Sequence, residues 1–266
     1  MRVTVRMPAP NGVAPGQTAT FNLPIGRTFH TLLMSYAGVT LAQMTEIRLV
    51  ANGKVLRRIL AGTFQDDINQ FMGLAAAAGI LRIDLDRPGM RLKDGEEYTS
   101  LGTGLPGDPQ AVTTLNLEVD IAAAAPAPVL SLKAIQSEPR NFGLVSKYRV
   151  FMHAPTGAGD YEIADLPKGD LVGKIIIDDS IVTVNSVRVE RDGFVVFERT
   201  AAENSVVQTD GYRVPQAGYF IIDPSENGFA GEAYVTNGVQ DFRLIVNVAG
   251  AGAMPVTVEY IGGLGT

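Results

Sequence analysis

Apolar residues in this chain recur at every second position over short stretches, and each stretch ends at a turn. Residues 187–191 lead into Asp192-Gly193, and residues 47–51 lead into Asn52-Gly53. Asn-Gly and Asp-Gly suit two-residue hairpin turns because both positions of such a turn need positive φ. Strict alternation gives each strand one face that packs against a core. The pattern therefore predicts an all-β protein made of many short strands joined by hairpins.

Helical spacing is restricted to short segments. Thr63 and Asp66 have the spacing of a capping box, and so do Thr200 and Glu203. Apolar residues within 64–75 then recur with helical periodicity. Neither segment is long enough for a helical domain, so we expect short helices inserted between strands.

The clearest break in the alternation is Ala-Ala-Ala-Ala-Pro-Ala-Pro at residues 122–128. Two prolines so close together do not fit a central strand, and alanines add little to a core. We therefore predict an N-terminal domain at residues 1–121, a linker at 122–130 and a C-terminal domain at 131–266.

The two halves of the chain repeat the same signals in the same order. Leu-Pro-x-Gly ends at Gly26 and again at Gly169, an offset of 143 residues, and the hairpin turn recurs after 140. A Thr-capped helix signal follows in each half, and then an apolar strand ends at Asp84 or, 139 residues later, at Asp223. A constant order at nearly constant offset indicates a duplicated domain. About eight strands and one small helix per half suit two tandem sandwiches of the jelly-roll or Greek-key type.

Composition narrows the possible functions. The 266 residues include 22 Lys and Arg against 28 Asp and Glu, a net charge of −6, and no Cys. Nucleic-acid binding needs a concentrated basic face, and the cluster Lys54, Arg57 and Arg58 fits a solvated strand edge instead. Without Cys, disulfides and thiolate chemistry are excluded. No apolar run approaches the ~20 residues of a membrane span, so we expect a soluble protein without direct nucleic-acid contact.

The two histidines, His30 and His153, limit the available catalytic chemistry. Cupins, which are also tandem jelly rolls, bind metal through several histidines and a carboxylate of one barrel. Here each half has one histidine, and the two are not at equivalent positions of the repeat. Asp66 and Asp67 fall at a predicted helix N-terminus, where carboxylates favour the dipole, so we do not interpret them as a glycosidase pair. We predict no catalytic residue and no enzymatic activity.

Three further motifs have structural interpretations. Residues 102–107 match the letters of a dinucleotide fingerprint, but prolines interrupt them and a strand follows, so a loop is expected. Residues 168–170, Lys-Gly-Asp, resemble a receptor-binding tripeptide, but their place in the repeat indicates a turn. Asp178 and Asp179, just past an apolar strand, are the candidate metal ligands, for a calcium ion held by oxygen atoms. No cofactor-binding residue is predicted.

Short segments spread from residue 21 to residue 262 carry a family resemblance. They include Leu23-Pro-Ile-Gly26, Tyr36-Ala-Gly-Val-Thr40, Glu162-Ile-Ala-Asp-Leu-Pro167, Gln240-Asp-Phe-Arg-Leu244 and Val258-Glu-Tyr-Ile-Gly262. In this order and spacing they resemble the major capsid protein of corticoviruses, which are icosahedral, membrane-containing viruses of bacteria. The resemblance implies a double jelly roll, that is, two tandem eight-stranded β-sandwiches with short helices.

The same resemblance implies how the protein is used. Its subunits would form homotrimers, and these pseudo-hexagonal capsomers would tile an icosahedral shell around an internal membrane that encloses double-stranded DNA. The expected location is the virion capsid, with assembly in the host cytoplasm. The expected neighbours are other capsomers and capsid or membrane proteins of the virion, with the membrane nearby. The family is associated with structural calcium, but no ligand set maps onto this sequence.

Two alternatives to a major capsid protein stay open. One is a minor capsid or vertex protein of the same lineage, which only its copy number in the particle would separate. The other is a tandem β-sandwich that binds carbohydrate or acts as an adhesin. That function usually needs an exposed aromatic platform, and the chain has no Trp and only 7% aromatic residues.

Overall fold

The structure is a computed structural model that describes residues 1–105 and 107–265. Its helices are α1 (Ala61–Phe71), α2 (Lys93–Glu96) and α3 (Ala201–Gln208), with 3₁₀ turns at Leu41–Gln43, Glu97–Thr99 and Ala230–Glu232. None of the helices in these ranges has the length and apolar character needed to cross a membrane.

Strands make up most of the regular structure. The first ten are β1 (Val3–Arg6), β2 (Thr18–Asn22), β3 (Thr28–Ala37), β4 (Met44–Ala51), β5 (Lys54–Leu60), β6 (Ile80–Asp84), β7 (Leu101–Gly102), β8 (Leu115–Ile121), β9 (Val129–Ser137) and β10 (Val145–His153). The others are β11 (Gly159–Ile163), β12 (Leu171–Asp178), β13 (Val184–Arg191), β14 (Phe194–Thr200), β15 (Tyr219–Ile222), β16 (Tyr234–Val235), β17 (Phe242–Val248) and β18 (Met254–Gly262). The predicted all-β class is confirmed.

The chain divides into two compact units. The first comprises Met1–Tyr148 and Gly262–Gly265, and the second comprises Arg149–Ile261. Strand β10 therefore begins in the first unit and continues in the second.

The predicted boundary between the domains is wrong. Residues 122–130 do not link two domains, because β9 pairs with β1 and β3 of the first unit. The Ala-Pro segment instead forms the corner at which the chain leaves β8 in one sheet and enters β9 in the other. A corner between two sheets tolerates prolines and alanines just as a linker between domains does. The composition of residues 122–128 therefore cannot distinguish the two. The first unit thus extends past residue 121, and Thr266, the last residue of the predicted C-terminal domain, lies outside the described residues.

The first unit packs two antiparallel sheets of four main strands. One sheet has the order β1-β9-β3-β6, and the two-residue strand β7 also pairs with its strand β3. The other sheet has the order β2-β8-β4-β5. Apart from the β4–β5 hairpin, consecutive main strands thus fall in opposite sheets, which is the connectivity of a jelly roll. In β8 every second residue is buried, as its sequence alternation requires.

The second unit repeats this connectivity strand for strand. Its sheets have the orders β10-β18-β12-β15 and β11-β17-β13-β14, and the two-residue strand β16 lies beside β12 as β7 lies beside β3. Both units are therefore jelly rolls, and the predicted double jelly roll is confirmed.

Each unit has its own apolar core. In the first, fully buried side chains come from both sheets; they include Phe21, Phe29, Leu32, Met34, Ile47, Leu49 and Leu117. In the second, the core includes Val172, Ile175, Ile177, Val189, Phe242, Leu244 and Val246. Burial of each such side chain favours folding by roughly 1.5–3 kcal/mol.

The two predicted hairpin turns are built in the same way. Asn52 and Asp192 both have a φ of 49°, and each is followed by a glycine of positive φ. In each turn the side-chain Oδ1 accepts hydrogen bonds from two backbone N–H groups that precede a neighbouring strand. The donors are Thr113 and Thr114 for Asn52, and Gln240 and Asp241 for Asp192.

Three irregularities of strand pairing recur at equivalent places in the two units. In the first unit they lie at Met44/Glu46, Leu49/Val50 and Phe29/Thr31. The equivalent places in the second unit are, in the same order, Val184/Ser186, Val189/Glu190 and Val172/Lys174. Such bulges bend strands and fix their register. Their offsets of 140 or 143 residues match those of the sequence signals, so the duplication extends to backbone detail.

The helices dock through equivalent side chains, but only one begins where the sequence predicted. Asn69 of α1 donates to the carbonyl oxygen of Arg82 and Asn204 of α3 donates to that of Ile221, both at 2.8 Å. The capping box of Thr200 and Glu203 is confirmed. The predicted cap at Thr63 is wrong, because α1 follows β5 directly and starts at Ala61, whose φ is 67°.

The basic cluster Lys54, Arg57 and Arg58 is a solvated edge only in part: Lys54 and Arg58 are exposed, as predicted, but Arg57 is not. Arg57 is buried, and its Nε donates to the carbonyl oxygen of Ser146 at 3.1 Å. The first residues of β10 pair in parallel with β5 at this point, through Tyr148 and Arg57.

Candidate functional site

The calcium candidates Asp178 and Asp179 lie at the last residue of β12 and just after it, in the second unit. The Oδ1 of Asp178 accepts hydrogen bonds from the backbone N–H and the hydroxyl of Ser180, at 3.0 and 2.5 Å. Burial raises the pKa of Asp179 above its usual value, and the negative charge of Asp178 raises it further. The two carboxylates therefore repel each other across a turn that already uses one of their oxygens.

This arrangement does not fit a calcium site. Calcium takes six to eight oxygen ligands, usually including several carboxylates. Within residues 1–105 and 107–265, no three acidic or histidine side chains converge in a way that could hold a metal ion. Calcium binding, which the family resemblance implied, stays a prediction, and Asp178 and Asp179 alone do not support it.

His30 belongs to a buried polar network of the first unit. Its Nδ1 lies 3.0 Å from both carboxylate oxygens of Asp86, and its Nε2 lies 2.8 Å from the hydroxyl of Ser137. Arg2 donates to Asp86 at 2.8 Å and to Glu97 at 2.7 Å. The network thus ties the residue before β1 to β3, β9 and the segment after β6.

Ser137, His30 and Asp86 are hydrogen-bonded in the same sequence as the catalytic triad of a serine hydrolase, but they differ from such a triad in their access to solvent. In a hydrolase, the histidine must meet the leaving group of a substrate. The imidazole of His30 is 2% exposed, and Asp86 is shared with Arg2. The three side chains therefore hold strands together, and the imidazole is shielded from solvent.

His153 lies in the second unit and, among the residues that the structure describes, joins no comparable network. Its Nε2 is 4.0 Å from Asp165, and its ring packs edge-on against Tyr161, with centroids 5.9 Å apart. Burial lowers the pKa of His153 below its usual value, against the smaller opposing effect of Asp165. This environment favours a neutral ring at neutral pH.

The other sequence motifs have structural roles. Asp66 accepts a hydrogen bond from Gln70 on α1. Lys168 donates to the backbone carbonyl of Gln240 from the turn that precedes β12. In the segment 102–107, β7 leads into a loop, while Pro106 lies outside the described residues.

A buried ionic cluster distinguishes the second unit. The Nε and Nη2 of Arg213 both donate to Asp223 at 3.0 Å, and the Nζ of Lys174 lies 3.3 Å from Glu259 and 4.0 Å from Asp223. In the first unit, Asp84 occupies the position of Asp223 and accepts a hydrogen bond from the neutral Thr31 at 2.7 Å. Sequence reasoning aligned the two aspartates but missed the cluster, because its members lie far apart in the chain.

Sequence reasoning also missed an exposed strand edge. We call the outer side of β14 the open strand edge; β14 is the last strand of its sheet, and none of its residues is buried. Phe194 is 76% exposed and Val195 51% exposed at the start of this strand. The available signal was the difference between the repeats, since Lys54 stands at the position equivalent to Phe194.

Comparison with known proteins accounts for both units. A model of the viral coat protein P2 N-terminal domain matches residues 4–138, and a model of the P2 C-terminal domain matches residues 145–264. The chain belongs to the viral coat protein P2 family. The gap between the two matches lies close to the boundary between the two compact units.

Relatives of this P2 family member resemble it over nearly their full lengths. The chain is 25% identical over 269 residues to major capsid protein P2 of Pseudoalteromonas phage PM2, which covers 98% of this chain and 97% of the relative. The crystal structure of that PM2 protein matches with a TM-score of 0.91, over 99% of this chain and 98% of the other. The crystal structure of the STIV MCP matches with a TM-score of 0.72 over 100% and 97% of the two chains; at 10% identity, this likeness shows the shared fold alone.

Proposed function

We propose that this P2 family protein is the major capsid protein of an icosahedral virus and that it forms homotrimeric, pseudo-hexagonal capsomers. The proposal is supported by its similarity, along the whole chain, to the major capsid protein of phage PM2. It is further supported by the two coat protein P2 domain models, which match residues 4–138 and 145–264.

The observation that carries the proposal is that one jelly roll is built twice, with the same strand order and the same three bulges. Three copies of a chain with two similar lobes present six similar lobes around a three-fold axis. Such an object fills a six-sided position in a closed lattice, whereas a single jelly roll per chain would need six copies.

The proposal extends to the surroundings of the subunit. We place the protein in the virion capsid, after assembly in the host cytoplasm, beside other capsomers and capsid or membrane proteins that enclose an internal membrane. The net charge of −6 suits a coat that lipid separates from the genome, because direct contact with phosphates would need a basic surface. The role is structural, which agrees with the closed environment of the Ser137, His30 and Asp86 network.

The mass of the purified protein tests the proposal. Size-exclusion chromatography with light scattering should give three copies of the 28.3 kDa chain, about 85 kDa. Negative-stain images should show a hexagonal outline viewed end-on. A stable monomer at high concentration would contradict a capsomer. A trimer present in only a few copies per virion would point to a minor capsid or vertex protein.

A further inference from the structure

The two jelly rolls have equivalent edge strands, but only one of them pairs with a further strand on its outer side. In each unit, a four-stranded sheet finishes with the second strand of the hairpin, β5 in the first unit and β14 in the second. Arg57 on β5 and Phe197 on β14 occupy the same place, since they pair with Leu49 and Val189 in hairpins that share register and bulge.

The edge of β5 is covered within the chain. The start of β10 runs parallel to it, with Tyr148 beside Arg57. The guanidinium of Arg57 lies over the ring of Tyr148 at 4.8 Å, and its Nε binds the carbonyl oxygen of Ser146. Ser146, Lys147 and Tyr148 are all buried. These residues of β10 belong to the same compact unit as β5, and β10 then continues as the first strand of the next sheet order.

The open strand edge of β14 has no such cover within the described residues. The hairpin beside it is also more apolar than its counterpart, because Phe194 replaces Lys54. Phe197 is half-buried, with the guanidinium of Arg199 over its ring at 4.9 Å. An apolar strand edge with unpaired backbone groups is avoided in proteins that stay monomeric.

The strand equivalent to β10 in the first jelly roll is β1. Met-x-Ala-Pro follows β1 at Met7–Pro10 and overlaps the end of β10 at Met152–Pro155, so Val3 stands seven residues before its proline as Tyr148 does. Strand β1 pairs on one side with β9 and lies at the end of its sheet order, with three of its four residues exposed.

We infer that β1 of a second copy of this chain runs parallel to β14 and closes the open strand edge, as β10 closes β5 within one chain. The inference rests on the proposed trimer and names the contact that holds it together. Val3 of one copy then lies beside Phe197 of the next, an apolar pair in place of Tyr148 and Arg57. Each capsomer contains three such pairings.

Disulfide trapping tests this pairing directly, because the natural chain has no cysteine. Neighbouring strands lie about 4.8 Å apart, and a disulfide spans Cα atoms about 4.4–6.8 Å apart. The variant carrying Val3→Cys and Phe197→Cys should form covalent dimers and trimers on a non-reducing gel after mild oxidation. Each single variant should stay monomeric on that gel. A second control, Val3→Cys with Val55→Cys, should also stay monomeric, because Val55 belongs to the hairpin whose edge is already closed.

A charge substitution provides an independent measurement. Val195 and Val55 occupy equivalent hairpin positions and are 51% and 50% exposed. Val195→Lys places a charge at the open strand edge and should shift the mass from that of a trimer toward 28.3 kDa. Val55→Lys introduces the same charge at an equally exposed position of the other hairpin, and the trimer should persist.

The outcomes separate the inference from the proposed function. A trimeric natural chain with no cross-linking at positions 3 and 197, or with equal effects of the two lysine variants, overturns the strand pairing and leaves the capsomer in place. A monomeric natural chain overturns both. Cross-linked trimers with selective disruption by Val195→Lys establish the pairing.

Discussion

Single residues show where the two repeats have diverged. Asp84 and Asp223 end equivalent strands, yet Asp84 binds the hydroxyl of Thr31 while Asp223 binds Arg213 and faces Lys174. Both cations are almost completely buried, and a buried charge needs a counter-charge nearby. The same backbone thus supports a hydroxyl contact and an ion pair with the partly exposed Arg82 in one unit, and a buried ionic cluster in the other.

This difference predicts unequal effects of two matched substitutions. Asp223→Ala removes the main counter-charge of Arg213, so the free energy of unfolding should fall by about 3 to 5 kcal/mol. Asp84→Ala removes an acceptor from a neutral hydroxyl and from Arg82, whose side chain is 42% exposed, so the fall should be about 1 to 3 kcal/mol. Urea unfolding followed by circular dichroism measures both. Equal losses would show that the cluster is not a distinct source of stability.

At the scale of elements, the helix after each hairpin is placed by different means. Helix α3 begins at a capping box, in which Thr200 accepts from the N–H of Glu203 and Glu203 binds back to Thr200. Helix α1 has no side-chain cap, and its first residue, Ala61, adopts a left-handed conformation directly after β5. Packing of Phe64, Ile68 and Phe71 in the core holds α1 in place.

We therefore expect Thr200→Ala and Thr63→Ala to differ. Thr200→Ala removes a cap and should lower the free energy of unfolding by about 1 kcal/mol. Thr63 is exposed within α1, where alanine is at least as favourable, so Thr63→Ala should cost nothing or stabilise slightly. Thermal denaturation of both variants decides the matter. A larger loss at Thr63 would mean that α1 begins two residues later than described.

These elements show how far the sequence predicted the fold. Turns such as Asn52-Gly53 were predictable because the required φ depends on the residue itself. The duplication was predictable because several such local signals recur in order. The start of α1 was not, because the strand before it and the core fix it. The burial of Arg57 was not, because the strand that covers it comes from residues 89 positions away.

The candidate site was predicted less well than the fold. The proposed contact depends on which edge strands lack a partner. Whether an edge strand has a partner depends on strands that are distant in the sequence. Asp178 and Asp179 are adjacent carboxylates in the sequence, but an oxygen of Asp178 accepts hydrogen bonds within a local turn. The exposed Phe194 became visible only when equivalent residues of the two jelly rolls were compared.

At the scale of the whole molecule, arginine–carboxylate contacts make stability depend on pH. Hydrogen bonding from Arg48 lowers the pKa of Asp120 despite burial. Burial raises the pKa of Glu46 and of Glu97, but hydrogen bonds from arginines outweigh it and leave both below the usual value. Such carboxylates stabilise the fold above their unfolded pKa, and this contribution is lost as the pH falls through the folded pKa.

We accordingly expect the urea midpoint to fall slightly as the pH drops below about 6.5, where unfolding lets the buried His153 take up a proton, and to fall more steeply below about pH 4.3, the usual pKa of glutamate. The variant Asp120→Asn should be less stable than the natural protein at pH 7, and the difference should narrow at acidic pH, where the natural carboxylate is also neutral. A midpoint that rises on acidification would show that these contacts do not govern the dependence.

The closure of β5 by β10 also limits the number of connections that a subunit can make. Of two equivalent edges, one is satisfied internally, so in the inferred pairing each polypeptide offers one acceptor, β14, and one donor, β1. Objects with one donor and one acceptor can join into rings or filaments, but they cannot branch. If β10 were detached from β5, each copy would expose a second strand edge that could pair with another copy. The assembly could then branch instead of closing into a ring.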